Sequence, residues 1–251
     1  MTTLSTAELS IYAILVLPAI YILIKHGKPG LLGWLYLLVF FSLRIIGGGL
    51  ALANSSAATL VSSIGLSPLV LAAAGILHEA RTHKFRHMNV KVEWIKVLHF
   101  HFLVMAGVAI LAVGASGLQS NEPTSNDSRL VKVGCAILLV AWLILSGWTI
   151  YSARSSSSAQ KSDHRSLHSM LLYTVLISMI FIGIRIIYNL VALTSNNRSL
   201  NPSTGSLTIR VFLSFLPELI TVLLYLAAGL YTSKDRDVLR QGDEYEQALS
   251  M

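Results

Sequence analysis

Two arginines stand inside apolar runs long enough to cross a bilayer: Arg44 in FFSLRIIGGGLALANSS and Arg185 in FIGIRIIYNLVALTSNN. An ionised guanidinium in hydrocarbon costs at least ~2.5–3.5 kcal/mol, so each needs a partner or a task. The natural partner is a carboxylate, and two lie within the apolar segments, Glu218 and Glu8. At ~1.5 Å per residue the arginines sit ~20 Å from one membrane edge, and Glu218 ~14 Å from the other. Helical spacing places Arg44 on one face with Gly47, Gly48 and Ala51, and Arg185 with Tyr188, Asn189 and Ala192. Ser214, Glu218, Thr221 and Tyr225 share a further face, as do Trp142, Ser146 and Thr149, and Glu8 with Tyr12 opens the first segment. One glutamate cannot neutralise two arginines at its depth unless Glu8 reaches the second.

These faces can converge on one polar cavity. There Glu218, helped by Glu8, would be a catalytic general acid, and Arg44 and Arg185 would hold a polar or anionic head. Tyr188, Asn189, Trp142 and Tyr225 would line the substrate, their rings facing a developing carbocation. Positive charge beside a carboxyl favours its ionised form, which counts against Glu218 as a proton donor. The bland alternative is a structural ion pair with interhelical hydrogen bonds. Ionisable groups within membranes mark functional sites by default, so the site reading is the stronger.

All eight histidines gather at the opposite end of the apolar segments: His26, His78, His83, His87, His99, His101, His164 and His168. Membrane di-iron hydroxylases and desaturases carry histidine boxes, but HEARTHKFRH, LHFHF and HRSLH lack their HxxHH pairs. His83 and His87 stand among Arg81, Lys84 and Arg86, where headgroup contact is the ordinary role. No metal and no cofactor is expected. Phosphate loops, serine-triad elbows and zinc-protease motifs are absent from the sequence.

The elements that must position these residues follow from composition. The chain of 251 residues is 54% hydrophobic and 12% charged, with a mean hydropathy of +0.66. Soluble domains carry about 25% charged residues, so a water-soluble fold is excluded. Seven apolar segments stand out, at about 8–25, 30–52, 57–78, 95–117, 130–152, 168–193 and 208–231. They predict an all-α fold, a polytopic transmembrane bundle of seven helices over residues 1–233, followed by a polar cytosolic tail over 234–251. Pro68 and Pro217 lie inside two segments and are expected to kink them, freeing carbonyls toward the cavity. Cys135, the single cysteine, reads as a small buried hydrophobe.

Most of the basic residues flank one membrane side, among them Lys25, Lys28, Arg81, Lys96, Arg154 and Arg236. The positive-inside rule then puts the N-terminus outside and the C-terminus in the cytosol. The net charge of +7 is thus a topology signal and not a sign of nucleic acid; the partner is the lipid bilayer. Three Asn-x-Ser sequons, at Asn54, Asn126 and Asn197, all fall outside by this assignment and are candidate glycosylation sites. The first segment has basic residues after it and none before it, the reverse of a cleavable signal, so it is expected to remain as a span. The membrane is that of the endoplasmic reticulum or the cell surface. LRIIGGGLAL aligns without a gap to IRIIYNLVAL, which suggests either a parallel 3+1+3 repeat or a coincidence between Leu/Ile/Ala-rich segments.

Taken together, RIIGGGLALA, SSIGLSPLVLAAAGILHE, RIIYNL and LPELITVLLYLAAGL resemble a family of uncharacterised fungal integral membrane proteins of about this size, over nearly the whole chain. The resemblance implies a seven-pass fold and no particular activity. Small seven-pass fungal proteins of metabolite gene clusters include terpenoid and meroterpenoid cyclases, an analogy of size and topology. On it the first expectation is a membrane-embedded cyclase of secondary metabolism, acting on a lipophilic prenylated small molecule. A small-solute or lipid transporter comes second, and a seven-helix receptor third.

Overall fold

The computed structural model describes the backbone of residues 2–53, 55, 57–84, 90–120, 122–157, 165–195, 198–200 and 205–249. Among these the regular elements are all helical: α1 (Thr2–Leu52), α2 (Ala57–Ile64), α3 (Leu66–Lys84), α4 (Val90–Gly117), α5 (Ser125–Ser157), α6 (Arg165–Thr194), α7 (Leu207–Arg210) and α8 (Leu216–Leu249). A short 3₁₀ turn, Arg198–Leu200, precedes α7, and one wide π turn, Val211–Phe215, joins α7 to α8. The polar segment after residue 233 continues α8 as helix to Leu249. Propensity explains this: DVLRQGDEYEQAL is rich in good helix formers and has no proline to stop a helix already started.

Six stretches are long and apolar enough to cross a membrane: Leu4–Gly27, Gly30–Leu52, Val92–Gly117, Ser125–Ser155, Ser169–Ala192 and Leu207–Ser233. The first two are the arms of α1. They fold back on one another at Gly27, whose φ of 59° lies in the left-handed region that a side chain disfavours. The arms pack antiparallel, with Gly48 against Ser5 and Leu9 and with Tyr12 against Phe40 and Phe41.

The remaining apolar segment is split. Gly65 closes α2 by donating to the Val61 carbonyl, and α3 starts one residue later. Both prolines expected to kink a span instead sit in the first turn of a helix, just after the irregularity. Pro68 cannot donate to the Ile64 carbonyl, and the Ser67 hydroxyl does so in its place at 2.7 Å. Pro217 is the second residue of α8, with Leu216 alone between it and the π turn. A proline is easily housed in a first turn, whose N–H groups have no partner within the helix.

Every residue from 65 to 81 is buried, so α3 is the pole around which the bundle is assembled. It touches both arms of α1 and also α4, α5 and α6. Ala72, Ala73, Ala74 and Gly75 keep its waist narrow. A Cβ placed on Gly33 would stand 2.7 Å from the Ile76 backbone nitrogen, so α1 and α3 meet nearly backbone to backbone.

The surface is inverted relative to a water-soluble protein. Arg44, Glu79, Arg81, Glu93, Arg185 and Glu218 are buried, while Ile14, Leu17, Ile24, Phe102, Val113 and Ile180 are more than half exposed. Apolar side chains spread over the outward faces of α1, α4, α5 and α6 are tenable only in hydrocarbon. The close α1–α3 crossing yields a direct prediction. Gly33→Leu should lower stability in detergent by about 3 kcal/mol or more through overpacking. Gly147→Ala, where nothing lies within 4 Å of the new methyl, should stay within ~0.5 kcal/mol. Thermal unfolding followed by size-exclusion of the remaining soluble fraction separates the two.

Candidate functional site

The buried charges form two layers. In the first, the second arm of α1 presents Arg44, α6 presents Arg185 and α8 presents Glu218, with exposures of 7%, 2% and 2%. Both arginines converge on one oxygen: Arg44 donates to Glu218 Oε1, and Arg185 Nε donates to the same atom at 2.8 Å. A second Arg185 nitrogen donates to Asn189 Oδ1, one helical turn on. The guanidinium of Arg185 also lies 5.7 Å from the Tyr188 ring, and the Tyr188 hydroxyl donates to the Leu200 carbonyl. Arg44 lies 5.4 Å from the Phe40 ring and against the α2–α3 break, where a Cβ on Gly65 would meet it at 3.4 Å.

Glu8 is half-buried, and its carboxyl lies within the field of Arg44, Glu218, Arg210 and Arg185. The expectation that Glu8 would have to neutralise the second arginine is resolved differently, by both guanidiniums sharing Glu218. Two donors of this layer are buried without an acceptor: Arg44 Nε and the Tyr12 hydroxyl. Tyr12 is fully buried and is ringed by Phe40, Phe41 and Phe215 at 5.6–6.2 Å.

Two residues assigned to this cavity from the sequence serve elsewhere. Trp142 donates to the Met179 carbonyl at 2.9 Å and packs over Gly183, so it fastens α5 to α6. Tyr225, fully buried on α8, has its hydroxyl beside Ser178 of α6. Trp142 thus meets α6 at Met179 and Gly183, and Tyr225 meets it at Ser178, two turns from Arg185. Asn126 is exposed in the first turn of α5, whereas Asn54 and Asn197 lie outside the described residues.

The second layer, at the end rich in basic residues, is one that sequence reasoning missed. Glu79 of α3 has no exposed surface; its Oε1 lies 2.7 Å from His26 Nδ1, and its Oε2 accepts from Trp34 Nε1 at 3.0 Å. His26 Nε2 donates to the Gly229 carbonyl at 3.1 Å, with Thr232 Oγ1 a further 3.2 Å neighbour. A carbonyl can only accept, so His26 Nε2 carries a hydrogen. One shared proton then lies between Nδ1 and Glu79 Oε1. Two residues on, across the helix from Glu79, Arg81 donates to both oxygens of Glu93 at 3.2 and 3.4 Å, donates to Ser152 Oγ and stacks 5.3 Å from Trp148. The signal was present in the sequence: the HEAR tetrapeptide closes a run of small apolar residues and puts acid and base on different sides of one helix.

Of the other histidines, His78 packs edge-on against Trp94, His99 donates to the Ile95 carbonyl, and His101 donates to the Val97 carbonyl. His87 and His164 lie outside the described residues, as do the side chains of His83 and His168. Among the described residues no three His, Cys, Asp or Glu side chains come together as a metal-ligand set.

Fold and buried charges together define a multi-pass helical membrane protein with an intramembrane Arg–Glu–Arg cluster. Residues 1–235 match the family described as Domain of unknown function (DUF7702), and the chain belongs to that family. Neither a curated protein nor a solved structure matches it.

Removing one partner of a buried ion pair strands the other, at a cost of roughly 3–5 kcal/mol. Glu218→Gln should therefore lose about that much stability in detergent, since it strands two guanidiniums. Glu8→Gln should change stability by under ~1 kcal/mol, because a half-exposed charge in the field of others contributes little. Chemical denaturation of both variants beside the wild type measures the contrast.

Proposed function

We propose that the protein is a membrane carrier for a small organic anion, bound in the outer half of the bundle at Arg44, Arg185 and Tyr12. The observation that carries this reading is the pair of unsatisfied buried donors, Arg44 Nε and the Tyr12 hydroxyl, beside a cluster whose two guanidiniums share one carboxylate. The Arg44–Glu218–Arg185 group has a net charge of +1. A carboxylate or phosphate oxygen lodged there would accept from Arg44 Nε and Tyr12 while offsetting that charge. It would compete with Glu218 for Arg44, loosening the link between α8 and the second arm of α1. Both helices next to the cluster are irregular, α3 at the Gly65 break and α8 at its π turn, which is where broken membrane helices accommodate ligands.

We infer the topology with it. The split segment α2–α3 is a seventh crossing, since it runs from Gly65 beside Arg44 in one layer to Glu79 and Arg81 in the other. The basic end faces the cytosol, which leaves the N-terminus outside, the continuation of α8 inside, and Asn54, Asn126 and Asn197 on the glycosylated side. Shared depth of Arg44 and Arg185 on Glu218 supports, but does not require, a parallel repeat.

A second reading, the cyclase, is favoured by one observation: Tyr12, which Phe40, Phe41 and Phe215 surround, lies within the field of Glu8. Glu218, the acid assigned from sequence, is occupied as acceptor for two guanidiniums, so Glu8 would be the proton donor in that case. A receptor role draws no support beyond the number of spans.

The discriminating experiment uses the purified full chain in liposomes. Under the carrier reading, radiolabelled carboxylates or phosphate esters enter the vesicles. Tyr12→Phe, which removes only the hydroxyl, weakens their half-saturation by about tenfold. Uptake indistinguishable from empty liposomes across both anion classes would sink the carrier. Conversion of a prenylated olefin or epoxide that is lost in Glu8→Gln would install the cyclase instead.

A further inference from the structure

A cleft of about 520 Å³ opens sideways between α4 and α5 at the basic end of the bundle. We propose that it is a binding site for one anionic phospholipid, with the headgroup phosphate at Lys96 and His99 and an acyl chain lying along the groove between the two helices. The cleft belongs to neither buried layer, although its floor is formed by Arg81 and Trp148 of the second.

Charge complementarity identifies the head. Arg81 and Lys96 both contact Glu93, so this trio brings a net charge of +1 to an otherwise apolar cleft. Lys96 is 51% exposed, and its Nζ is held 3.0 Å from Glu93, which aims the ammonium without covering it. His99 donates through Nδ1 to the Ile95 carbonyl of its own helix, leaving Nε2 as the nitrogen able to meet a ligand. Arg81 is fixed from below by Glu93, Ser152 and the Trp148 ring, so the floor is rigid.

The walls identify the rest of the ligand. Ile144 and Tyr151 line the α5 side and are themselves about half or more exposed, so the cleft is continuous with the lipid-facing surface. A soluble phosphate would leave that apolar wall unused, whereas a lipid uses head and chain together. Its volume lies in the ~300–1,000 Å³ range of sites that take molecules of headgroup size and larger.

The test is quenching of tryptophan fluorescence in liposomes by lipids brominated on the acyl chain, phosphatidylserine against phosphatidylcholine. Subtracting Trp148→Phe isolates the tryptophan at the cleft floor. The wild type should be quenched at a lower mole fraction of the brominated phosphatidylserine, and Lys96→Gln with His99→Gln should reduce that preference about fivefold or more. Lys96→Arg, which retains the charge, should keep the preference and guards against a mere folding defect. Equal quenching by the two lipids, or a preference that survives the double substitution, would overturn the proposal. Displacement of the brominated lipid by soluble glycerol phosphate would overturn it as well, by making the site one for a free anion.

Discussion

A charge inside hydrocarbon has no water to turn to, so it must be answered by another side chain of the same bundle, and this requirement fixes the heights at which the helices meet. Arg44 and Arg185 come from spans far apart in the chain, yet both end on a single oxygen of Glu218. That convergence sets the register of the second arm of α1, of α6 and of α8 relative to one another. Leucine and isoleucine faces could not do this, because they slide past each other at little cost in a solvent as apolar as themselves. The lower layer repeats the device with Glu79, which ties the two arms of α1 to α3, while Gly229 and Thr232 bring in α8.

The same requirement decided what could be read before the fold was known. Apolar run lengths report the spans directly, since a bilayer has a fixed thickness, and all but the split segment keep a helix suited to crossing. Arg44, Arg185 and Glu218 were legible as a cluster because a charge among twenty apolar residues is conspicuous. Glu79 was not, although among the described residues it is the most buried acid, because it stands in a run of His and Arg that reads as a membrane edge. The difference is one of contrast. A charge at a basic edge looks solvated until the neighbouring helices are in place.

A face read from spacing is not yet a contact. A spacing of three or four residues puts Trp142 or Tyr225 on one side of its helix but says nothing about which neighbour it meets. Each finds α6, through Met179 and Ser178. The prolines illustrate a related limit. Pro68 and Pro217 marked the irregular stretches of chain, but the distortion lies before each one, where the missing N–H would have bonded.

The two layers differ in how firmly they are built, and that asymmetry bears on how such a bundle could move. Around Glu79 both carboxylate oxygens are engaged and both ring nitrogens of His26 have partners, right beside the reversal of α1 at Gly27. Around Glu218 one oxygen takes both guanidiniums, Arg44 Nε and the Tyr12 hydroxyl lack acceptors, and a helix break and a π turn adjoin the cluster. Glu218 and Thr232 stand ~21 Å apart along α8, so the two layers grip that helix at well-separated points. Losing the Arg44–Glu218 contact would therefore free α8 from the second arm of α1 at this layer, while the Gly229 carbonyl still holds it to His26 at the other.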